Sequence, residues 1–387
     1  MANLSRKSSF TAMKNRNERL ILKIIKENME ISRADIAEKA GLSAATVTNI
    51  VNDLMENHLI KESEFGKSKG GRRPVYLKLN GEGIKVIGIE WAIGSIKYAV
   101  VNLEGEVEKQ GKIQIDNLNL GNFIKNTKKI TNSIFNQIEK NNIKGIGIGI
   151  HGIVDPIKGI SRYAPHFDWS NKNIVKKLKQ IYDIPIKIDN DVRMMARAER
   201  WNDNRNFIFI HSSRGIGSAI NFNNDLIYGK NFLAGEIGHT IVKADGPKCS
   251  CGNKGCLESM VSRQNILDYA SEHLDLNIDN WSRLSNIIND KEKDTDKILK
   301  YISKYYGIAL VNIINLLNPD EIILGGDLID IKDILYPYLL QCVTENSLNK
   351  NSDITNIKFT KYNKIAGAVG AGFSILEKYF DEEEDKR

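Results

Sequence analysis

The chain has 387 residues, 41% of them hydrophobic and 27% charged, with four cysteines and a formal net charge of +7. That length predicts two or three domains, and the composition is that of an ordinary globular protein. No run approaches the length of a membrane span, and the N-terminal residues lack the apolar core and cleavage site of a secretion signal, so a cytoplasmic chain with reduced thiols and no membrane partner is expected.

The positive charge is concentrated. Residues 1–80 carry 15 Lys/Arg against 9 Asp/Glu, a net +6, whereas the rest of the chain carries 40 against 39. This is the footprint of a nucleic-acid-binding module joined to a neutral domain, although charge alone would also fit a solvated basic surface.

The first elements give that footprint a shape. NRNERLILKIIKENM sets Leu20, Ile24 and other apolar residues at helical spacing. Ser32 with Asp35 reads as a helix N-cap and acidic first turn, with Ile36, Ala37 and Ala40 facing inward, and Gly41 allows a tight turn. Ser43 caps a third helix whose Val47, Ile50, Val51 and Leu54 form a buried stripe. The other face carries Ala44, Ala45, Thr46, Thr48, Asn49 and Asn52, small and polar residues suited to DNA base edges and phosphates. This is a helix-turn-helix pattern. LIKESEFGKSKGGRRPVYLKLN then reads as two short strands around a loop carrying Lys67, Lys69, Arg72 and Arg73, a β-wing whose Arg-Arg-Pro suits a narrow minor groove. Asn80–Gly81 reads as a linker.

From residue 84 the pattern changes to strands alternating with helices. IKVIGIEWAIGSIKYAVVNLEGEVEKQGKIQI is a run of strands with a hairpin at Glu104–Gly105, followed by a helix around 121–140. KGIGIGIHGIVDP is a buried strand entering a glycine turn, and IPIKIDNDVRMMARAERW is strand, turn and helix. NFIFIHSSRGIGSAINFNNDLIYG repeats the opening at 84–110. A helix around 300–317, the strand DEIILGG and a closing GAVGAGFSILEKYF helix follow, before a solvated acidic tail. A similar opening used twice predicts an α/β architecture with two related lobes and a cleft that holds a small molecule.

GIHGIVDP, IDNDVRMMARAE, AGEIGH and CSCGNKGCLE each resemble a motif of the ROK family, in the family's order. The resemblance covers residues 84–380, and with the winged helix in front the whole chain resembles the family's repressor branch, which includes xylose, glucose and N-acetylglucosamine regulators. It implies a two-lobed actin/hexokinase-like (ribonuclease H-like) fold. It also implies residues 1–80 as a winged helix-turn-helix domain and 81–387 as a ROK sugar-binding domain. Lobe one would be about 81–198 plus the C-terminal helix 367–387, and lobe two about 199–366.

His239, Cys249, Cys251 and Cys256 supply one imidazole and three thiolates, four soft ligands with no open position, which suits a closed structural Zn2+. The spacing alone is only suggestive, and the resemblance strengthens it. Cys342 lies apart and reads as core. By the same resemblance, residues matching Asn190, Asp191, Glu236, His239 and Glu258 hydrogen-bond sugar hydroxyls, Gly152 brings backbone close to the sugar, and positions around 163–169 tune which sugar is bound. The family's kinases use the residue matching Asp191 as general base. Their first hairpin reads Asp-x-Gly-Gly-Thr, where this chain has Glu90-Trp91-Ala92-Ile93-Gly94-Ser95; their second loop, Gly-Thr-Gly-x-Gly, is here Ser213-Arg214-Gly215-Ile216-Gly217. A bulky Trp and an Arg in phosphate-cradling loops argue against phosphoryl transfer. The expectation is a sugar-responsive repressor that is not an enzyme, acting as a homodimer on a near-palindromic operator. An ATP-dependent sugar kinase and a repressor controlled by a protein partner remain the alternatives.

Overall fold

The computed structural model describes residues 2–65, 75–201, 203, 205–291, 294–348 and 355–381. The expected wing residues Lys67, Lys69, Arg72 and Arg73, and all but the first residue of the acidic tail, lie outside these. Among the described residues no helix is long and apolar enough to cross a membrane.

Helices Ala2–Asn28, Arg33–Ala40 and Ala44–Glu56 open the chain. Ser32 caps the second, its hydroxyl accepting from the Asp35 amide at 3.2 Å, and Gly41 ends it at φ 64°, a left-handed turn that glycine adopts without strain. Ser43 caps the third, accepting from the Thr46 amide at 3.1 Å. Val47, Ile50, Val51 and Leu54 are buried as expected. In the first helix the buried set is Ile21, Leu22, Ile24 and Ile25; Leu20 falls beyond the edge of that stripe and is 38% exposed. Ile36 is the fully buried residue of the second helix, with Ala37 and Ala40 at its margins. Strands Ile60–Phe65 and Val75–Leu79 pair antiparallel from Ile60↔Leu79, and Ile31–Ser32 adds to the far side of Val75–Leu79.

The expected linker at Asn80–Gly81 is instead a pinned turn. The Asn80 amide donates to the Leu59 carbonyl at 2.9 Å and its side chain to the His58 carbonyl at 3.1 Å. A Cβ on Gly83 would lie 2.0 Å from that same carbonyl, so the chain passes too close for any side chain.

Of the later sheets among the described residues, one has three strands, in the order Trp169–Asn173, Ile160–Ala164, Ile153–Asp155, and two have five. The first of these two runs in the order Ile186–Asn190, Ile143–Ile150, Lys85–Ala92, Ser95–Asn102, Val107–Gln114; the second runs Asn356–Phe359, Glu321–Gly326, Phe207–Ser212, Ile216–Phe222, Asp225–Leu226. In each, three consecutive antiparallel strands are followed by two later strands, the first of which joins parallel to the strand that opened the run. The repeat seen in the sequence is therefore a repeat of topology. The chain packs as two compact units, residues 1–150, 156–188 and 371–387 in one and 151–155 and 189–370 in the other, against expected lobe boundaries near 198 and 366.

Inside the first unit, Trp91 is fully buried. It stacks on Phe123 at 5.1 Å, meets Trp169 edge-on at 6.4 Å, and donates its indole N–H to Thr127 Oγ1 at 3.0 Å. The expectation that Trp91 crowds the first hairpin loop is thus corrected: it belongs to the strand Lys85–Ala92, its side chain is in the core, and Gly94 at φ 80° makes the turn. Phe167 and Trp169, from the stretch expected to tune specificity, are buried in the same aromatic cluster.

In the second unit a large apolar core joins the second sheet to helices Arg263–Leu274, Trp281–Asp290, Asp296–Leu317 and Lys332–Asn346. Cys342, expected in the core, is half-buried beside it, where a Cβ on Gly307 would lie 2.3 Å from its sulfur.

The alternating glycines of KGIGIG have a packing role. A Cβ on Gly147 would lie 1.8 Å from the Ala371 carbonyl oxygen. Gly147→Ala should therefore lower stability by about 2–3 kcal/mol, read as a shift of the thermal or urea midpoint, because backbone cannot yield as a flexible side chain does. An unchanged midpoint would mean that the helix Ala366–Leu376, which carries Ala371, is not seated this closely.

Candidate functional site

The strand Ile186–Asn190 runs directly into the helix Asp191–Arg200, and the junction is fixed from below by a buried ion network. Asp189 is 1% exposed and Arg193 3%. Arg193 Nε donates to Asp189 Oδ1 at 2.7 Å; Arg197 and the Tyr228 hydroxyl donate to Oδ2 at 3.3 and 3.0 Å. The remaining Arg193 nitrogens donate to the carbonyls of Phe232 and Val154, both at 3.2 Å. A buried guanidinium is tolerated because its donors are met.

On this base stand the first expected ligand residues. Asn190 is the N-cap: its Oδ1 accepts from the amides of Val192 and Arg193 at 2.9 and 3.1 Å, and its Nδ2 donates to the Gly152 carbonyl at 2.9 Å. That bond, with Gly152 at φ 100°, brings the GIHGIVDP turn against the helix start. Asp191 is buried and accepts from the Val192 amide at 3.0 Å. Its other oxygen faces His151 Nδ1 at 3.6 Å.

His151 was not among the residues expected from the sequence. Its only signal there is that it precedes Gly152 in the turn motif. Burial pulls its imidazole pKa down, but Asp191 opposes this, with Glu258 and Glu236 adding to it, and the net shift is upward. For Asp191 the same pair acts in reverse: burial raises its carboxyl, His151 lowers it, and the net shift is downward.

AGEIGH lies flat on the strand Ile216–Phe222. A Cβ on Gly235 would lie 2.2 Å from the Ser218 carbonyl, and one on Gly238 2.1 Å from that of Ile216. This close approach fixes Glu236, exposed at the rim, and His239, half-buried. Glu258, half-buried on the helix Leu257–Val261, accepts from the Ile216 amide at 2.9 Å. It thereby engages the second glycine loop, where a Cβ on Gly215 would meet its carboxylate at 2.7 Å. The far end of that loop is held by Arg263, which donates to Ser213 Oγ at 2.8 Å and to both oxygens of Asp327 at 2.5 and 2.7 Å. Arg214 is exposed.

The ligand atoms of His239, Cys249, Cys251 and Cys256 all lie within 4.8 Å of one another, a group that can hold a metal ion. His239 Nδ1 is 3.6 Å from the Cys249 sulfur, and the Cys251 and Cys256 sulfurs are 3.7 Å apart. Gly255, at φ 68° and with no room for a Cβ beside the Lys243 carbonyl, closes the loop. Burial pushes the Cys256 thiol up to about 12, so deprotonating it needs a nearby cation.

Of the expected DNA-facing residues, Ser43, Ala44, Ala45, Thr48, Asn49 and Asn52 are exposed, and Thr46 is half-buried at the cap. They lie opposite the buried stripe of the helix Ala44–Glu56.

The ion network under the site gives a direct expectation. Asp189→Ala strands two arginines and should cost about 3–5 kcal/mol in a denaturant titration. A loss under 1 kcal/mol would mean that the network does not anchor the junction.

Residues 86–378 match the ROK family, and residues 14–61 match a winged helix-turn-helix DNA-binding family. The xylose repressor of Caldicellulosiruptor bescii is 30% identical over 341 residues, 82% of this chain and 84% of its own length. A solved ROK family transcriptional regulator, described as a homolog of the Escherichia coli MLC protein, superposes with a TM-score of 0.81 at 26% identity, over 95% of this chain and 98% of that one. A ROK family glucokinase from Streptomyces griseus, solved with glucose and AMPPNP, matches 75% of this chain and 98% of its own at a TM-score of 0.68 and 20% identity, and so shares the fold. The second part of this chain thus has the α/β fold of ROK sugar kinases, preceded by a winged helix-turn-helix, and the chain belongs to the ROK family.

Proposed function

We propose that the chain is a sugar-responsive transcriptional repressor, a regulator and not an enzyme. Residues 1–80 act as the DNA-binding domain and 81–387 as the sugar-binding domain, in a cytoplasmic homodimer that reads two half-sites of a near-palindromic operator. The observation that carries this reading is the union in one chain of an exposed, small and polar recognition face with a cluster of Asp191, Glu236 and Glu258.

In this reading Ala44, Ala45, Thr48, Asn49 and Asn52 meet the major groove, with Ser43 and Thr46 at the helix start near phosphate, and Lys67, Lys69, Arg72 and Arg73 reach the minor groove. Gly152, Asn190, Asp191, Glu236, His239 and Glu258 hold the sugar, since carboxylates and an amide accept from and donate to neighbouring hydroxyls in fixed directions. Sugar releases DNA if it binds the DNA-incompetent arrangement more tightly. Turnover is disfavoured on two grounds. Asp191 is a weakened base beside His151. Glu90, at the place of the kinases' first Asp, is buried and paired with Lys97 at 2.7 Å.

The metal is Zn2+ in a closed structural site. Tetrahedral zinc, with Zn–S near 2.3 Å and Zn–N near 2.05 Å, sets sulfurs about 3.8 Å apart and nitrogen about 3.5 Å from sulfur, and the spacings of 3.7 and 3.6 Å support that fit. Zinc here would hold the loop joining Glu236 and His239 to Glu258.

With an operator obtained by selection from genomic DNA, one of D-xylose, D-glucose or N-acetylglucosamine should weaken binding about tenfold or more. Glu258→Ala should abolish that response and leave sugar-free binding intact. Sugar-dependent ATP hydrolysis lost in Asp191→Asn would instead establish a kinase, and operator binding indifferent to every sugar would point to a protein partner. Elemental analysis should find one zinc per chain, and its removal or Cys251→Ser should lower both the melting temperature and sugar affinity. Unchanged sugar affinity after metal removal would sink the clamp role.

A further inference from the structure

The geometry points to His151 as a ligand-contacting residue of the sugar site: with Asp191 it forms a donor–acceptor pair that reads one ring hydroxyl of a neutral sugar. This inference rests on the sugar-binding reading above and adds to it a residue outside the ligand set that the family motifs imply.

Three observations converge on it. First, the imidazole is held in place by backbone. It precedes Gly152, whose carbonyl is tied to Asn190 Nδ2 at 2.9 Å, and Asn190 is itself fixed as the cap of the helix Asp191–Arg200. His151 and Asp191 are thus brought together by the same three side-chain bonds that orient Asn190. Second, Nδ1 of His151 faces Asp191 Oδ2 at 3.6 Å. That separation is longer than a closed hydrogen bond. A single hydroxyl can donate to the carboxylate and accept from an imidazole N–H, so a ring hydroxyl is a chemical match for such a pair. Third, the side chain of His151 keeps 30% of its surface exposed, whereas that of Asp191 keeps 12%. The charges of Glu236 and Glu258 also act on the imidazole. It is therefore the one imidazole beside three carboxylates, at intermediate depth between Asp191 and the rim residue Glu236. A group with that surplus of negative charge favours a neutral polyol over an anionic ligand.

The test is a thermodynamic cycle on the full-length, zinc-loaded protein. Isothermal calorimetry with D-xylose, D-glucose and N-acetylglucosamine first identifies the sugar that wild type binds. Its monodeoxy analogues are then titrated into wild type, His151→Ala and His151→Gln. His151→Ala should bind the parent sugar at least about tenfold more weakly. One monodeoxy analogue should lose affinity for wild type but little further affinity for His151→Ala, because the hydroxyl read by the pair is already missing. His151→Gln should recover part of the loss, since its amide can donate to the same oxygen. Zinc content and sugar-free operator binding should stay at wild-type levels in both variants. If every analogue loses the same factor in wild type and in both variants, His151 does not touch the sugar and the inference falls, while the sugar-binding reading stands. If wild type binds none of the three sugars, both fall together.

Discussion

A buried carboxylate holds this molecule's chemistry in register. Asp189 closes a strand, and the two arginines and the tyrosine that neutralise it sit on the following helix and the neighbouring loop. Without it, Arg193 would be a desolvated cation, and neither the cap at Asn190 nor the carbonyl of Phe232 could compensate. Asn190 and Asp191 owe their direction to this anchor. The Gly152 turn is bonded to Asn190, and His151 is set by that turn. A single buried charge thus fixes four polar groups above it, as is expected where a ligand must be read to within a fraction of an ångström.

Much of the fold was legible in the sequence, because its signals are local. Ser32 and Ser43 announce caps, Gly41 and Gly105 announce turns, and the alternation of residues 84–110 returns at 206–229. What escaped were relations between distant residues. The turn at Asn80 looks like a linker in sequence because nothing nearby shows that Gly83 will press on the His58 carbonyl. Trp91 looks like an intruder in a phosphate loop until its strand register turns it toward Phe123 and Trp169. His151 carries no motif of its own, and its importance comes from facing a carboxylate forty positions later. The His239 and cysteine group was the reverse case: its spacing within eighteen residues was suggestive, the family resemblance strengthened it, and the four side-chain ligand atoms do converge.

The same scaffold that catalyses in the family's kinases is internally occupied here. Glu258 takes up the Ile216 amide, so that a backbone donor in the second glycine loop already has an anion. Lys97 neutralises Glu90 in the first hairpin. Both interactions are made by the chain's own groups, which lowers the demand for an external phosphate or cation at those positions.

The pinned turn at Asn80 has a mechanical consequence. A flexible tether absorbs rotation by bending, and its slack is entropic; it passes on tension but no twist. Here the strand Val75–Leu79 reaches Lys85 across a few residues bonded to Leu59 and His58, with no slack to absorb. The recognition helix and the first five-stranded sheet are therefore joined as a torsion bar is joined to its lever. A coupling of this kind passes on twist as well as tension.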